Sequence, residues 1–291
     1  MKTVSLVLGS GGARGLAHIG VIRWLEENNY EIKSISGCSI GSLIGGIYAA
    51  GKLDELEGWM RSLSKIDVVS LLDVSWAGAG IFKGDKVFNA LIDLVGDIQI
   101  EDLTIPFTAV AADIDAEKEV WINTGSLFGA IRASVSLPLF FTPYDYNGIK
   151  LVDGGVLNPV PIAPTFNDDT DLIIAVNLGG PLQKKEKSSS PLVNANEDQT
   201  SIQKSIKNLI EKIKESSGAI ADKKWGMNDV ADKAFDAMQS TIGRQKIAAY
   251  PPDIEIIIAR NACGTMEFDR TSEMIDLGYN KANEFTLKLV N

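Results

Sequence analysis

Ser36-Gly37-Cys38-Ser39-Ile40-Gly41-Ser42 stands between a short β-type run at 32–35 and a helix of small residues at 41–50. A serine with glycine at both second neighbours fits a strand-to-helix elbow that lifts one hydroxyl into a cleft. Gly37 and Gly41 suit this turn because a Cβ at either place would meet the neighbouring strand or helix. Ser39 then sits at a helix N-terminus, where free N–H groups and the helix dipole favour nearby negative charge. An attacking alkoxide and a developing oxyanion both need that environment. Working outward, Gly41, Gly45 and Ala49 fall four apart, as do Ser42, Gly46 and Ala50. A helix without bulk on two faces predicts close packing on both sides, against a sheet.

Upstream, residues 3–8 form a short apolar run ended by Gly9, the pattern of a buried parallel strand. Gly9-Ser10-Gly11-Gly12-Ala13-Arg14-Gly15 leads into a helical pattern at 16–26, so residues 1–50 read as one βαβα unit with a glycine loop at each strand end. Downstream, 52–64 and 86–95 read as helices around a Gly-rich loop at 73–84 that carries Trp76, Ile81 and Phe82. Residues 107–114 and 119–123 read as strands, 127–133 as a helix, and 149–152 as a strand ending in Asp153-Gly154-Gly155. Residues 171–178 form a strongly apolar strand, followed after a lysine-rich stretch by a helix at 229–246, a strand at 254–259 and a helix at 272–289. This alternation predicts a three-layer α/β/α fold with a mainly parallel central sheet. One domain is expected over 1–291, with a motif-bearing core at 3–180, a helical insertion at 183–224 and a C-terminal helix–strand–helix at 229–291.

The 291 residues are 45% hydrophobic and 23% charged, which describes a globular protein able to bury a large core. A net charge of −10 argues against nucleic-acid binding, which wants a basic face. The insertion departs from this balance: nine lysines against six acids give 183–224 a charge of +3 and leave −13 to the rest. Ile202, Ile206, Leu209, Ile210 and Ile213 make an apolar helical stripe beside those lysines. That pattern suits a cap or a peripheral membrane contact, or equally a surface helix packed on the core. Two cysteines without CxxC spacing, Cys38 and Cys263, suggest neither disulfides nor zinc. Cys38 reads as a small packing residue. With no signal-peptide pattern at the start and no apolar run near the roughly eighteen residues of a membrane span, a cytoplasmic protein is expected.

Of the chemistries a glycine loop can serve, two fail on residue identity. A dinucleotide fingerprint needs Gly where Ser10 stands and an acid where strand two ends in Ser36-Gly37. A phosphate-binding loop needs Gly-Lys-Ser/Thr, and Ala13-Arg14-Gly15 lacks it. An oxyanion hole remains, with backbone N–H groups of Gly11, Gly12 and Ala13 facing the elbow. The base is the harder question, because His18 is the only histidine and lies on the stem of the glycine loop. It reads as packing or loop support, and Arg14 as a loop anchor. Asp153, after an apolar strand and before two glycines, is the carboxylate best placed to act on Ser39. Asp113 and Asp115 read as turn residues.

Gly11-Gly12-Ala13-Arg14-Gly15, Gly37-Cys38-Ser39-Ile40-Gly41 and Asp153-Gly154-Gly155, in that order and without a triad histidine, closely resemble the patatin-like phospholipases. Leu16-Ala17-His18-Ile19-Gly20-Val21, Arg132-Ala133-Ser134 with Leu137-Pro138 and Phe141-Thr142-Pro143, and Leu157-Asn158-Pro159-Val160-Pro161 extend the likeness over 3–180, and more loosely over 229–260. The resemblance implies a lipid acyl hydrolase with a Ser-Asp dyad: Ser39 the nucleophile, Asp153 its base, and the glycine loop the oxyanion hole. Gly37, Ile40, Gly41, Arg14, Gly15 and Gly154 would support the elbow and loops. The implied substrate is a phospholipid or other fatty-acyl ester, and no metal or cofactor is called for. Where that family's loop begins with Gly, this chain has Ser10. Acyl transfer to an alcohol, and a non-catalytic regulator that keeps the fold, are the alternative readings. Oligomeric state is open.

Overall fold

Strand β1 (Lys2–Leu8) lies at the centre of an eight-stranded sheet, and its side chains alternate between two cores. Val4, Leu6 and Leu8 join the large core, while Val7 turns to a smaller cluster with Val160, Ile162 and Ala175. Alternation of this kind follows from the two-residue period of a strand buried on both faces. The structure, a computed structural model, describes residues 1–71, 82–183 and 227–289. The loop residues Trp76 and Ile81 and the lysine-rich segment with its Ile/Leu stripe lie outside those residues.

Five strands run parallel in the order β3 (Phe107–Asp113), β2 (Tyr30–Cys38), β1, β7 (Leu172–Gly180) and β8 (Ile254–Ala259). The chain winds from β1 toward β3 and later returns on the other side of β1 through β7 and β8. The glycine loop after β1 therefore stands where the winding changes direction, the usual place for a ligand site in an open α/β sheet. Beyond β3 the sheet turns antiparallel through β4 (Lys118–Ile122), β6 (Ile149–Asp153) and β5 (Tyr144–Tyr146). Asp113 Oδ1 accepts the N–H groups of Asp115 and Ala116, so both acids belong to the β3–β4 turn as expected.

The register at β3 explains how two distant loops meet. Ala109 pairs with Gly37 of β2 and Ile122 of β4, while Ala111 pairs with Val120 of β4 and Asp153 of β6. A residue has one neighbour on each edge, so β6 takes over the edge of β3 that β2 vacates. β6 runs antiparallel to β3, so its C-terminal end meets that of β2. Cys38 is opposite Val110 and Asp153 opposite Ala111, adjacent steps on the same strand.

One face of the sheet carries α1 (Ala17–Glu27), α2 (Ile40–Ala49) and α8 (Thr271–Leu289). A Cβ on Gly20 would stand 1.9 Å from Ile275 O, and one on Gly278 1.9 Å from Ala17 O, so both glycines are required where α1 crosses α8. α6 (Leu127–Ser134) packs beside α2 on β3 and β6, and α3 (Leu53–Ser62), α4 (Lys65–Leu71) and α5 (Asp85–Val95) complete this side. Among the described residues, the opposite face is covered by the 157–166 segment and the later part of α7 (Met227–Ala249), including Ile247. The chain divides into a unit of 1–183 with 235–291, which holds the sheet, and a unit of 184–234. Among the described residues, no helix is long and apolar enough to cross a membrane. Relative to the sequence expectations, α4 and β5 are additional elements. The glycine loop closes into a 3-10 turn at Gly12–Leu16 before α1.

Candidate active site

At the end of β2 the backbone turns through Ser39 at φ 55°, ψ −124°, a strained conformation for a residue with a side chain. Three contacts hold it. Ser39 N–H donates to Ser134 Oγ (2.9 Å), Ser134 Oγ–H donates to Val110 O (2.6 Å), and Ser39 O accepts Ser42 Oγ–H (2.6 Å). The glycines are sterically required as expected. A Cβ on Gly37 would meet Gly41 O and Ser42 at 2.6 Å, one on Gly41 would lie 2.1 Å from Leu8 O, and one on Gly154 would lie 2.1 Å from Val110 O. Gly15 and Ile40 pack the two loops together, since a Cβ on Gly15 would approach Ile40 Cγ2 to 2.2 Å.

The meeting of β2 and β6 brings Ser39 Oγ–H to Asp153 Oδ2 at 2.5 Å. The other oxygen, Oδ1, accepts Gly155 N–H at 2.7 Å. Asp153 is fully buried, and that burial outweighs the two hydrogen bonds and pushes its carboxyl from 3.8 up to about 6. Among the described residues, no cation pairs with it. At neutral pH it is ionised, yet it is a stronger base than an exposed aspartate. Cys38 Sγ lies 4.0 Å from Asp153 Oδ1; burial, then the charge of Asp153, drives its thiol pKa well up, so it stays protonated and inert.

The glycine loop faces this pair. Gly12 and Ser39 line the same cavity. Gly12 begins the 3-10 turn and Gly11 caps it, positions whose N–H groups have no partner inside the turn. Among the described residues, no backbone partner across the loop takes either N–H. Ala13 departs from expectation: its N–H donates to Thr265 O at 2.9 Å, so it anchors the loop and is not a free donor. Arg14 is buried, donating to Arg260 O at 3.0 Å and pairing with Asp236 at 2.7 Å, which makes it the anchor expected. His18 is fully buried, and its Nε2–H donates to Gly9 O at 2.9 Å. Burial lowers its pKa to about 4, so it is a neutral prop beneath the loop. Ser10 turns its hydroxyl toward α7, where Oγ accepts a hydrogen bond from Gln239 Nε2–H at 3.2 Å.

From Ser39 an apolar channel runs beneath α3, α4 and α5, with about 890 Å³ of empty space including its mouth. Ile40, Leu43, Met60, Val68, Leu91 and Leu137 are among its walls, and Thr265, Met266 and Phe268 close the side next to the glycine loop. Ile40 was singled out in the sequence as an elbow residue, whereas Leu43, Met60, Val68 and Leu91 carried no functional signal in segments that read simply as helices. Among the described residues, no group of three or more His, Cys, Asp or Glu could hold a metal ion.

Comparison with known proteins identifies the family. The family model for patatin-like phospholipase matches residues 6–166. An uncharacterized NTE family protein of Mycobacterium tuberculosis is 36% identical, covering 94% of this chain and 89% of its own length. Lysophospholipase NTE1 of Cryptococcus neoformans is 36% identical over 61% of this chain, a stretch that is 11% of that protein. The solved structure of VipD from Legionella pneumophila overlaps 97% of this chain and 66% of its own, with a TM-score of 0.46 and 15% identity. The domain match spans more than half of the chain, and the mycobacterial relative is similar along nearly all of it. The chain belongs to the patatin-like phospholipase family, a family of lipid acyl hydrolases.

Proposed function

We propose that this protein hydrolyses fatty-acyl esters of phospholipids or lysophospholipids through a Ser39–Asp153 dyad and an acyl-enzyme. The observation that carries the reading is the 2.5 Å hydrogen bond from Ser39 Oγ to a buried carboxylate at the foot of an apolar channel. Asp153 takes the proton of Ser39 Oγ as the oxygen attacks the ester carbonyl, and the oxyanion faces Gly11 and Gly12 N–H. Collapse breaks the ester bond, and the proton on Asp153 passes to the leaving alcohol. Water then gives a proton to Asp153 and attacks the acyl-enzyme. The released fatty acid leaves Ser39 with its proton restored. The acyl chain lies in the channel, where apolar walls favour it by about 0.8 kcal/mol for each buried methylene. A single channel of this kind suits one chain at a time, consistent with the lysophospholipase name of one relative. Two unpaired cysteines accord with a cytoplasmic setting, where the substrate is met at a membrane surface.

The test is fatty-acid release from a panel of phospholipids and lysophospholipids by wild type and Ser39→Ala. Release by the wild type alone is expected. Equal release by both would overturn the reading.

A further inference from the structure

Arg132 is nine-tenths buried in the last turn of α6, and its guanidinium sits among three rings. Its Cζ lies 5.4 Å from the centroid of Phe88, 5.3 Å from Phe141 and 5.7 Å from Tyr144. Nη1 donates to Ser136 Oγ at 2.7 Å and Nη2 to Lys83 O at 2.6 Å. Among the described residues, no carboxylate forms an ion pair with it; Asp85 acts only at longer range. One side chain thus fastens α5, the 82–84 loop, the turn after α6 and β5. Ser136 continues the chain of contacts, because its carbonyl accepts the Asp153 N–H at 2.9 Å.

The place of these rings gives the arrangement a consequence. Phe88 and Phe141 line the apolar channel that leads from Ser39. Behind them lies a second cleft of mixed lining, bordered by Asp85, Asn89, Asp97, Ile92, Phe128 and Arg132 itself, with about 1030 Å³ of empty space including its mouth. Phe88 borders both spaces, so here the wall is one side chain thick. A ring backed by packed core has nowhere to move, whereas a ring backed by an open cleft can yield to whatever presses on it. Arg132 is the group that fills the cleft side of the rings. Its plane can stack on them while its fork holds two acceptors, which the point charge of a lysine cannot do together.

We propose, building on the acyl-hydrolase reading above, that Arg132 is a specificity-determining residue: it braces the Phe88–Phe141 wall from the cleft side and sets the bore that the channel offers a long acyl chain. Its side chain touches neither the ester nor the side chains of the dyad, and its link to the Asp153 backbone through Ser136 is read separately by acetate turnover and the pH midpoint.

The experiment compares wild type with Arg132→Lys on p-nitrophenyl acetate, octanoate and palmitate. The same substitution in Ser39→Ala is titrated with a fluorescent long-chain fatty acid. Expected is a fall of about tenfold in the palmitate-to-acetate ratio of kcat/KM, from loss of the planar group that stacks on the rings. Acetate turnover and the pH midpoint should be close to wild type, and affinity for the fatty acid should weaken in step with the ratio. An unchanged ratio, or equal loss on all three esters, would overturn the proposal and leave Arg132 a fold element. If Arg132→Lys does not fold, Phe88→Leu and Phe141→Leu alter the same wall from the channel side. A ratio unmoved by both would equally overturn it. Should the wild type hydrolyse no ester while Arg132→Lys still weakens fatty-acid binding, the hydrolase reading fails and the wall stands. Hydrolysis with an unmoved ratio is the reverse result.

Discussion

Replacing Asp153 by Asn is predicted to strengthen the fold at neutral and alkaline pH while abolishing turnover. The folded protein holds this carboxyl at about 6 against 3.8 in the unfolded chain. It therefore binds the proton more tightly when folded, and ionisation weakens the native state. The penalty is absent below 3.8, grows as pH rises toward about 6 and is constant above. At about 1.4 kcal/mol per pH unit its full size is about 3 kcal/mol. Asparagine has no charge to bury, and it keeps both contacts: its oxygen accepts Gly155 N–H in place of Oδ1, and its amide donates to Ser39 Oγ in place of Oδ2. Urea unfolding of wild type and variant across a pH series measures the difference directly, and His18, present in both, cancels. The variant should be the more stable by up to about 3 kcal/mol near pH 8, with the gap closing below about pH 4. A variant less stable than wild type at alkaline pH, or a gap independent of pH, would refute the reasoning.

Turnover of an ester that does not itself ionise should fall as pH drops through about 6, where Asp153 takes up its proton; a flat profile across that range would remove Asp153 as the base. His18→Gln should retain most activity, because the neutral imidazole makes a single bond to Gly9 O. It should also resist acid better, since the lowered pKa of His18 makes the wild type lose stability as pH falls from 6.5 toward about 4; acid-unfolding midpoints read this. Gly15→Ala, whose Cβ would press on Ile40, should cost roughly 1–3 kcal/mol in thermal or urea unfolding and more in kcat than in KM. Leu43→Trp should narrow the channel and suppress palmitoyl-ester hydrolysis while acetyl-ester hydrolysis continues; parallel loss on both would place the effect elsewhere.

The features readable in the sequence were those enforced locally. Ser39 is recognisable because the elbow tolerates no Cβ at Gly37 or Gly41, so the constraint is written within five residues. Asp153 carries its own signal, an apolar strand ended by two glycines, one of which must lie against Val110 O. Alternating strands and helices likewise imposed the layered fold. The pairing of Ser39 with Asp153 had no such signature, because it depends on β6 replacing β2 along one edge of β3, between segments far apart in the chain. Ala13 seemed a third free donor because the strand of contacts to Thr265 spans some 250 residues of sequence, beyond any local pattern. The channel was hidden for a different reason. Apolar residues that face a void and those that face a core share one helical period, so Leu91 and Val87 of α5 look alike in either role. Arg132 appeared only within a motif, and nothing in Arg132-Ala133-Ser134 shows that three aromatic rings will close around it.

The most direct test of the dyad is the site of covalent labelling by a fluorophosphonate, read by peptide mass spectrometry in wild type, Ser39→Ala and Asp153→Asn. Labelling of Ser39 alone is predicted, absent in Ser39→Ala and slowed by several orders of magnitude in Asp153→Asn, as for loss of any member of a catalytic constellation. Labelling at another serine, or an undiminished rate in Asp153→Asn, would contradict the assignment of Ser39 as nucleophile and Asp153 as its base.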